Sequence, residues 1–204
     1  MSESRIPNAW QRYWHKWRGR GHGSPPRVSG SEVFWSGFGG FLGLLAVGLC
    51  ALVFSGLDRV LIIGSIGASA VLVFGAIRSP LAQPRNLIGG HVLSAFVGVS
   101  VHLLLAGPMA DFWIAPPQMA LLIVPVIAPA LAVGLAIALM HATRTLHPPG
   151  GATALVAVIG SQHVHAMGYW FVLFPGLIAP LILLLIALVF NNFVPKRAYP
   201  EYWW

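Results

Sequence analysis

The clearest chemical pattern in the chain is a short run in its second half. It combines an imidazole, two prolines, two glycines and a hydroxyl: His147, Pro148, Pro149, Gly150, Gly151 and Thr153. Prolines lack a backbone N–H and push the preceding residue away from helical conformation, so we expect extended chain through Pro149. A helix that starts at Gly151, inside a membrane, would present free N–H groups and the positive end of its dipole. The run therefore predicts a small-anion site at the N-terminus of a half-helix.

A similar pattern lies in the first half of the chain. Residues 67–70, Gly-Ala-Ser-Ala, recur as Gly-Ala-Thr-Ala at 151–154, and residues 45–49, Leu-Ala-Val-Gly-Leu, recur at 131–135. Two matches at nearly one offset predict a tandem repeat. By analogy, residues 59–66 could be extended before a half-helix from 67 to 77, although Val-Leu-Ile-Ile at 60–63 could equally be helical. The predicted binding residues of this half are Ser65, Gly67, Ala68 and Ser69.

Small residues at such positions also have a purely structural interpretation. Glycine and serine let helices approach closely in a membrane. Gly39 and Gly43 form one small-xxx-small stripe, and Gly90, Ser94 and Gly98 form another. These stripes are typical of helix packing and could also support a homo-oligomer, so the sequence leaves packing open beside anion binding.

Histidines, rather than carboxylates, are the ionisable groups inside the predicted membrane segments. All five Asp and Glu residues lie in tails or connections. His91 and His102 share one face of the third segment, and His91 either lines a pathway or bonds to a neighbouring helix. His163 and His165 lack a third ligand, and no nucleophile–base pair accompanies any histidine. We therefore predict no metal, no cofactor and no enzymatic activity.

The composition indicates an integral membrane protein. Of 204 residues, 57% are hydrophobic and 8% charged, with a mean hydropathy of +0.77, whereas soluble domains are about 25% charged. A soluble enzyme is excluded. The net charge of +7 comes from basic residues that flank apolar spans, which favours membrane orientation over nucleic-acid binding. The apolar segments lie at roughly 33–55, 60–77, 87–107, 118–141, 150–162 and 168–190.

Positive charge favours six crossings over four. If all six segments cross with the N-terminus inside, only Arg59 of the twelve Lys and Arg residues lies outside. Three crossings per repeat invert the second repeat. The predicted fold is an all-α membrane protein of about six transmembrane segments, arranged as two inverted three-segment repeats with two short discontinuous segments.

Three regions follow from this division. Residues 1–32 form a basic, aromatic tail with an amphipathic helix predicted to lie on the lipid surface, because Trp10, Tyr13, Trp14 and Trp17 share a face. Residues 33–193 form the transmembrane domain, with repeats at 33–107 and 118–193. Residues 194–204 form a C-terminal tail. We expect both termini in the cytoplasm, and the lipid bilayer and a small inorganic anion as partners.

Two motifs are similar to those of a known family. Residues 147–154, His-Pro-Pro-Gly-Gly-Ala-Thr-Ala, and residues 79–86, Ser-Pro-Leu-Ala-Gln-Pro-Arg-Asn, resemble the HPP family of integral membrane proteins over roughly residues 33–193. The resemblance implies a multi-pass membrane protein, and members in photosynthetic organisms are associated with nitrite transport. The family is often described with four spans, a count that misses short segments.

The resemblance and the residues together predict a function. We expect a transporter or channel for a small monovalent anion, nitrite first, bound near the midplane at the N-termini of two half-helices. We expect it in the cytoplasmic membrane of a bacterium. The alternative is a structural or regulatory membrane subunit without transport activity.

The six-crossing topology can be tested by cysteine accessibility. Cysteines introduced between Arg78 and Asn86 should label from the cytoplasmic side, and cysteines near Asp111 from the outside. Labelling of the 78–86 loop only from outside would contradict the inverted repeat.

Overall fold

The computed structural model describes residues 10–11, 13–14, 27–54, 59–105 and 123–204, with only the backbone at 53–54 and 59–63. Most of the described residues are helical, and none of them lies in a strand. The α-helices are α1 (Gly30–Phe54), α2 (Arg59–Gly75), α3 (Pro84–Leu105), α4 (Ala128–Ala142), α5 (Pro148–Ile159), α6 (Gln162–Met167), α7 (Trp170–Leu173) and α8 (Ala179–Phe193). A 3₁₀ turn, Pro80–Ala82, precedes α3, and π-helical turns at Ile123–Ile127 and Phe174–Ile178 lead into α4 and α8.

Four helical stretches are long and apolar enough to cross a membrane: Gly30–Leu52, Pro84–Leu105, Ile123–Ala142 and Trp170–Phe193. Two shorter apolar helices, Gly64–Gly75 and Pro148–Ile159, accompany them. The predicted all-α membrane class is confirmed. The predicted segments beginning at 87 and 168 correspond to the long helix α3 and to the continuous stretch through α7 and α8.

The two short segments differ from each other in how they begin. α2 is one helix from Arg59, so of the two alternatives for residues 59–66 the structure has the helical one and not the extended lead-in. No proline interrupts Val-Leu-Ile-Ile, and a helix satisfies every backbone N–H where water is excluded. α5 is interrupted as predicted, because α4 ends at Ala142 and the chain is extended at His147, with φ −141° and ψ 100°.

The start of α5 lies three residues earlier than predicted. Pro148 and Pro149 occupy its first two helical positions instead of the extended stretch before it. A missing N–H costs nothing there, and the fixed φ of proline already suits a helix. The predicted extended piece therefore ends at His147.

Helices α3 and α5 approach each other through glycine. A Cβ added at Gly98 would lie 2.5 Å from the Ala154 carbonyl oxygen, and one at Gly150 would lie 2.7 Å from the Gly90 carbonyl oxygen. No side chain fits between these backbones. The packing interpretation of the Gly90/Ser94/Gly98 stripe is confirmed.

Of residues 1–26, the structure describes four positions only. Trp10, Gln11, Tyr13 and Trp14 are helical, and the Tyr13 ring contacts the rings of Trp10 and Trp14 edge to face at centroid distances of 6.1 and 5.3 Å. The cations of this segment and Trp17 lie outside the described residues. The surface helix stays a prediction.

A buried arginine ties the C-terminal tail to three helices. The side chain of Arg197 is 2% exposed and forms an ion pair with Glu32 of α1 at 2.6 Å. It also donates to the Ser36 hydroxyl, the Phe74 carbonyl and the Asn191 side-chain oxygen at 2.7, 3.0 and 2.9 Å. One planar guanidinium thus joins the ends of α1, α2 and α8.

Arg197→Lys should destabilise the protein by roughly 2–3 kcal/mol, because an ammonium cannot reach four acceptor groups on three helices and leaves some unpaired. Thermal unfolding in lipid nanodiscs measures the loss. The reverse swap at the adjacent exposed position, Lys196→Arg, is the matched control and should be neutral. Equal shifts for both variants would show that the buried contacts of Arg197 contribute little.

Candidate functional site

Four polar side chains from three helical segments meet in the core. The Ser69 hydroxyl of α2 lies 2.7 Å from Nε2 of His91 and 2.8 Å from Nε2 of His147. The other ring nitrogen of His91, Nδ1, lies 2.7 Å from the Thr153 hydroxyl of α5. All four residues are fully buried, with Thr153 the most accessible at 1%. We call these four residues the histidine cluster.

A backbone carbonyl fixes where the hydrogens of the cluster lie. Nδ1 of His147 is 2.8 Å from the carbonyl oxygen of Leu81, which can only accept, so Nδ1 carries the hydrogen. In the neutral ring Nε2 is then an acceptor, and Ser69 donates its only hydroxyl hydrogen to it. His91 must in turn donate from Nε2 to Ser69, which leaves its Nδ1 to accept from Thr153.

The neutral cluster is therefore a directed chain of hydrogen bonds. The hydrogens point from Thr153 to His91, from His91 to Ser69, from Ser69 to His147, and from His147 to Leu81. The Ser65 carbonyl lies 3.3 Å from the Ser69 hydroxyl and offers a longer alternative acceptor. Each ring nitrogen has a partner, as buried imidazoles require.

The loop before α3 supplies Leu81 and is itself held in place. The Ser79 hydroxyl accepts from the Leu81 N–H, and the buried Gln83 amide donates to the carbonyls of Ile77 and Ser79 at 2.9 Å. Farther on, Asn86 donates to the Leu146 carbonyl at 2.8 Å, next to His147. The 79–86 motif thus positions the 147–154 motif directly.

The chain matches a known protein family over most of its length. The model of the HPP transmembrane region matches residues 25–200, which is most of the chain. The chain belongs to the HPP family.

Two relatives from Dictyostelium discoideum, both named only as transmembrane proteins, are 45% and 42% identical over 94% of this chain. The aligned regions cover 63% and 57% of their lengths, so the chain spans about six tenths of these relatives. No solved structure matches. The predicted family membership is confirmed, and the bacterial origin stays a prediction.

The residues predicted to bind substrate do not all face the cluster. Ser65 is buried one helical turn from Ser69, whereas Ala68 and Pro148 are exposed on the outer sides of their helices. A Cβ at Gly67 would meet only Leu44, at 4.0 Å, and one at Gly151 only Val133, at 3.7 Å. The structure therefore brings together Ser69, His91, His147 and Thr153. Ser65, Pro149 and Gly150 are also buried and lie on the helices that carry Ser69 and Thr153.

The predicted pair of opposed half-helix N-termini is wrong. Gly67 lies in the interior of α2, where its N–H belongs to the helix. At the start of α5 two positions are proline, and the Gly150 N–H donates to the His147 carbonyl at 2.8 Å. The helix end therefore has few N–H groups left for an anion, and the imidazoles are the larger source of donors.

The sequence gives no sign of the part played by Leu81, and it marks Gly90 only as a helix-packing residue. A main-chain carbonyl accepts whatever its side chain is, and the approach of Gly90 to His147 depends on tertiary packing. A Cβ at Gly90 would lie 2.5 Å from the His147 Cβ. The one available signal for Leu81 is the 79–86 family motif, which marks its segment without saying that it touches residues 147–154.

A second histidine pair lies apart from the cluster. The rings of His102 and His165 stack at a centroid distance of 3.7 Å, and His165 contacts the Val158 carbonyl at 3.1 Å. Nδ1 of His102 is buried without a hydrogen-bond partner among the described groups. His163 is exposed, and no set of three metal-ligating side chains occurs within the described ranges.

Gly150 and Gly151, which are neighbours in α5, test how this helix packs against α3. Gly150→Ala should destabilise the protein by about 1–3 kcal/mol, because the new methyl would press on the Gly90 backbone and the Ser94 hydroxyl. Gly151→Ala should instead be neutral or stabilise by about 0.5–1 kcal/mol, because alanine favours a helix and has space there. Thermal unfolding of the two variants measures the difference. A loss at Gly151 equal to that at Gly150 would contradict the described orientation of α5.

Proposed function

We propose that this HPP protein transports a small monovalent anion, nitrite first, and that the histidine cluster is its binding site. The observation that carries the proposal is the full burial of two hydrogen-bonded imidazoles, His91 and His147, in a membrane domain. Ionisable groups are costly in a membrane interior and usually mark a pathway for ions or protons.

The sign of the available charge favours an anion. Among the described residues, the ionisable side chains at the cluster are its own two histidines, and a protonated histidine carries a positive charge. A cation pathway would instead need carboxylates or a ring of carbonyls. Imidazole N–H groups and the hydroxyls of Ser69 and Thr153 are donors of the kind that hold a small oxyanion.

The proposed topology has six crossings in two inverted repeats. α2, with 17 residues, rises about 25 Å. The 12 residues of α5 rise about 18 Å, and residues 145–147, which belong to no helix, can span at most about 10 Å, which together approach the roughly 30 Å of the hydrocarbon core.

The cluster adds support for the repeat. Ser69 and Thr153 are equivalent positions of the repeated Gly-Ala-Ser/Thr-Ala sequence, and they contact opposite nitrogens of the same His91 ring. The site thus lies between the two halves of the domain, where transporters built from inverted repeats bind their substrates. Because the cluster is sealed from solvent, passage requires one half to rock against the other.

Flux into proteoliposomes tests the proposal. Vesicles with the purified protein should take up nitrite faster than protein-free vesicles, whose rate is subtracted because the free acid of nitrite crosses lipid unaided. His147→Gln should reduce the protein-dependent rate to background, since glutamine cannot carry a proton or hold both neighbours in the same way. The matched control is His141→Gln, an exposed histidine at the end of α4, which should keep the normal rate.

A panel of nitrate, formate and chloride in the same assay identifies the preferred anion. A rate equal to protein-free vesicles for every anion would contradict transport and support a structural or regulatory subunit. Equal rates for wild type and His147→Gln would keep transport but remove the cluster from its path.

A further inference from the structure

We infer that His91 and His147 share one exchangeable proton through Ser69, and that this proton enters with the anion in a one-to-one, electroneutral cotransport. The coupling to an anion rests on the proposed function. The sharing of the proton is a property of the cluster alone and can be tested without transport.

The cluster can accept one proton without moving any non-hydrogen atom. Nδ1 of His91 is the acceptor at the Thr153 end of the hydrogen-bond chain. When it binds a proton, the Thr153 hydroxyl turns from donor to acceptor, and every other hydrogen bond keeps its direction. The result is a histidinium at His91 beside a neutral His147.

The added charge can then pass to the second ring. His91 releases the proton on Nε2 to the Ser69 oxygen while Ser69 releases its own hydroxyl proton to Nε2 of His147. One N–H bond breaks and one forms, one O–H bond is exchanged for another, and the charge has moved to His147. The distances of 2.7 and 2.8 Å on either side of Ser69 are ordinary for such transfers.

A second proton is disfavoured by the geometry. The two ring centroids are 5.1 Å apart, so two histidinium ions would repel each other in a site where water is excluded. Ser69 would also have to accept from both rings and donate to the Ser65 carbonyl at 3.3 Å. No carboxylate or other charged side chain faces the rings from α2, α3, α5 or the 79–86 loop in the described structure, so nothing offsets a second charge.

The two ends of the hydrogen-bond chain differ in whether they can pass on a proton. The Leu81 carbonyl has no proton to give and cannot relay one. The Thr153 hydroxyl can donate and accept, so the proton enters and leaves at the Thr153 end. One proton gives the cluster one positive charge, which one monovalent anion neutralises.

Nitrogen-15 NMR of histidine-labelled full-length protein in lipid nanodiscs tests the sharing. In the deprotonated protein His147 should be the Nδ1–H tautomer and His91 the Nε2–H tautomer, with assignments from His91→Gln and His147→Gln. On acidification the two rings should together take up one proton. Ser69→Ala should separate their titrations, whereas Ser94→Ala, which removes a buried hydroxyl bonded to Met140, should not. An Nε2–H tautomer at His147, or independent uptake of two protons, would overturn the inference.

Coupling is measured in vesicles that enclose a pH-sensitive dye, with a potassium diffusion potential imposed by valinomycin. Anion uptake should acidify the vesicle interior. Its rate should change with an imposed pH gradient and stay the same when the membrane potential is changed. Thr153→Val removes the hydroxyl at nearly constant volume and should abolish coupled uptake, whereas Thr153→Ser keeps the hydroxyl and should preserve it. Anion flux that follows the potential without acidification would overturn the cotransport inference and leave anion transport standing. Absence of all anion flux would instead contradict the proposed function, and the NMR result would still decide whether the proton is shared.

Discussion

The hydrogen bond from His147 to the Leu81 carbonyl determines the chemistry of the whole core. A carbonyl cannot donate, so this one contact assigns the tautomer of His147, and each following bond then has only one allowed direction. Without it, either ring could adopt either tautomer, and Ser69 could donate to His91 or to His147. The loop that presents Leu81 thereby controls a serine and a second histidine that it does not touch. A buried network with one direction is also more specific than four separate polar pairs, because no member can turn without leaving another unsatisfied.

Close backbone packing is what allows so compact a network in a membrane domain. Two imidazoles can reach one serine hydroxyl only if α3 and the start of α5 lie nearly in contact, and the absence of side chains at Gly90, Gly98 and Gly150 permits this. Lipid supplies no hydrophobic force between helices, so their association depends on this packing and on interhelical hydrogen bonds. The packing and binding interpretations of the small residues are therefore not exclusive. Gly90 and Gly150 pack helices, and that packing positions His91 and His147.

Sequence reasoning found the polar members of the site for a simple reason. Polar side chains are few within the predicted apolar segments, so Ser69, His91, His147 and Thr153 stand out, and the repeat pairs two of them. Helix boundaries were harder to predict, since proline both breaks a helix and begins one, and only the tertiary structure decides between these roles at Pro148. An extended start for the second apolar segment was suggested only by analogy with the segment that contains Pro148 and Pro149. α2 has no proline, and it is helical from its first residue.

Contacts made by the backbone or across long sequence separations could not be predicted from one sequence. The Leu81 carbonyl is chemically identical to any other carbonyl, and the pairing of Glu32 with Arg197 joins residues 165 positions apart. The same tail continues from Arg197 to the loop near the cluster. The Tyr199 hydroxyl donates to the Ala82 carbonyl at 2.6 Å, and the Glu201 N–H donates to the side chain of Gln83 at 2.9 Å.

Burial raises the pKa of Tyr199, so its phenol stays neutral and keeps donating to the loop at any ordinary pH. The residue that accepts from it, Ala82, directly follows Leu81. A sequence of contacts therefore runs from the ends of α1, α2 and α8 through Arg197, along the tail to Tyr199, and through Ala82 to the carbonyl that orients His147. Because the cluster has no other fixed acceptor at that end, the C-terminal tail supports the histidine cluster as well as the fold.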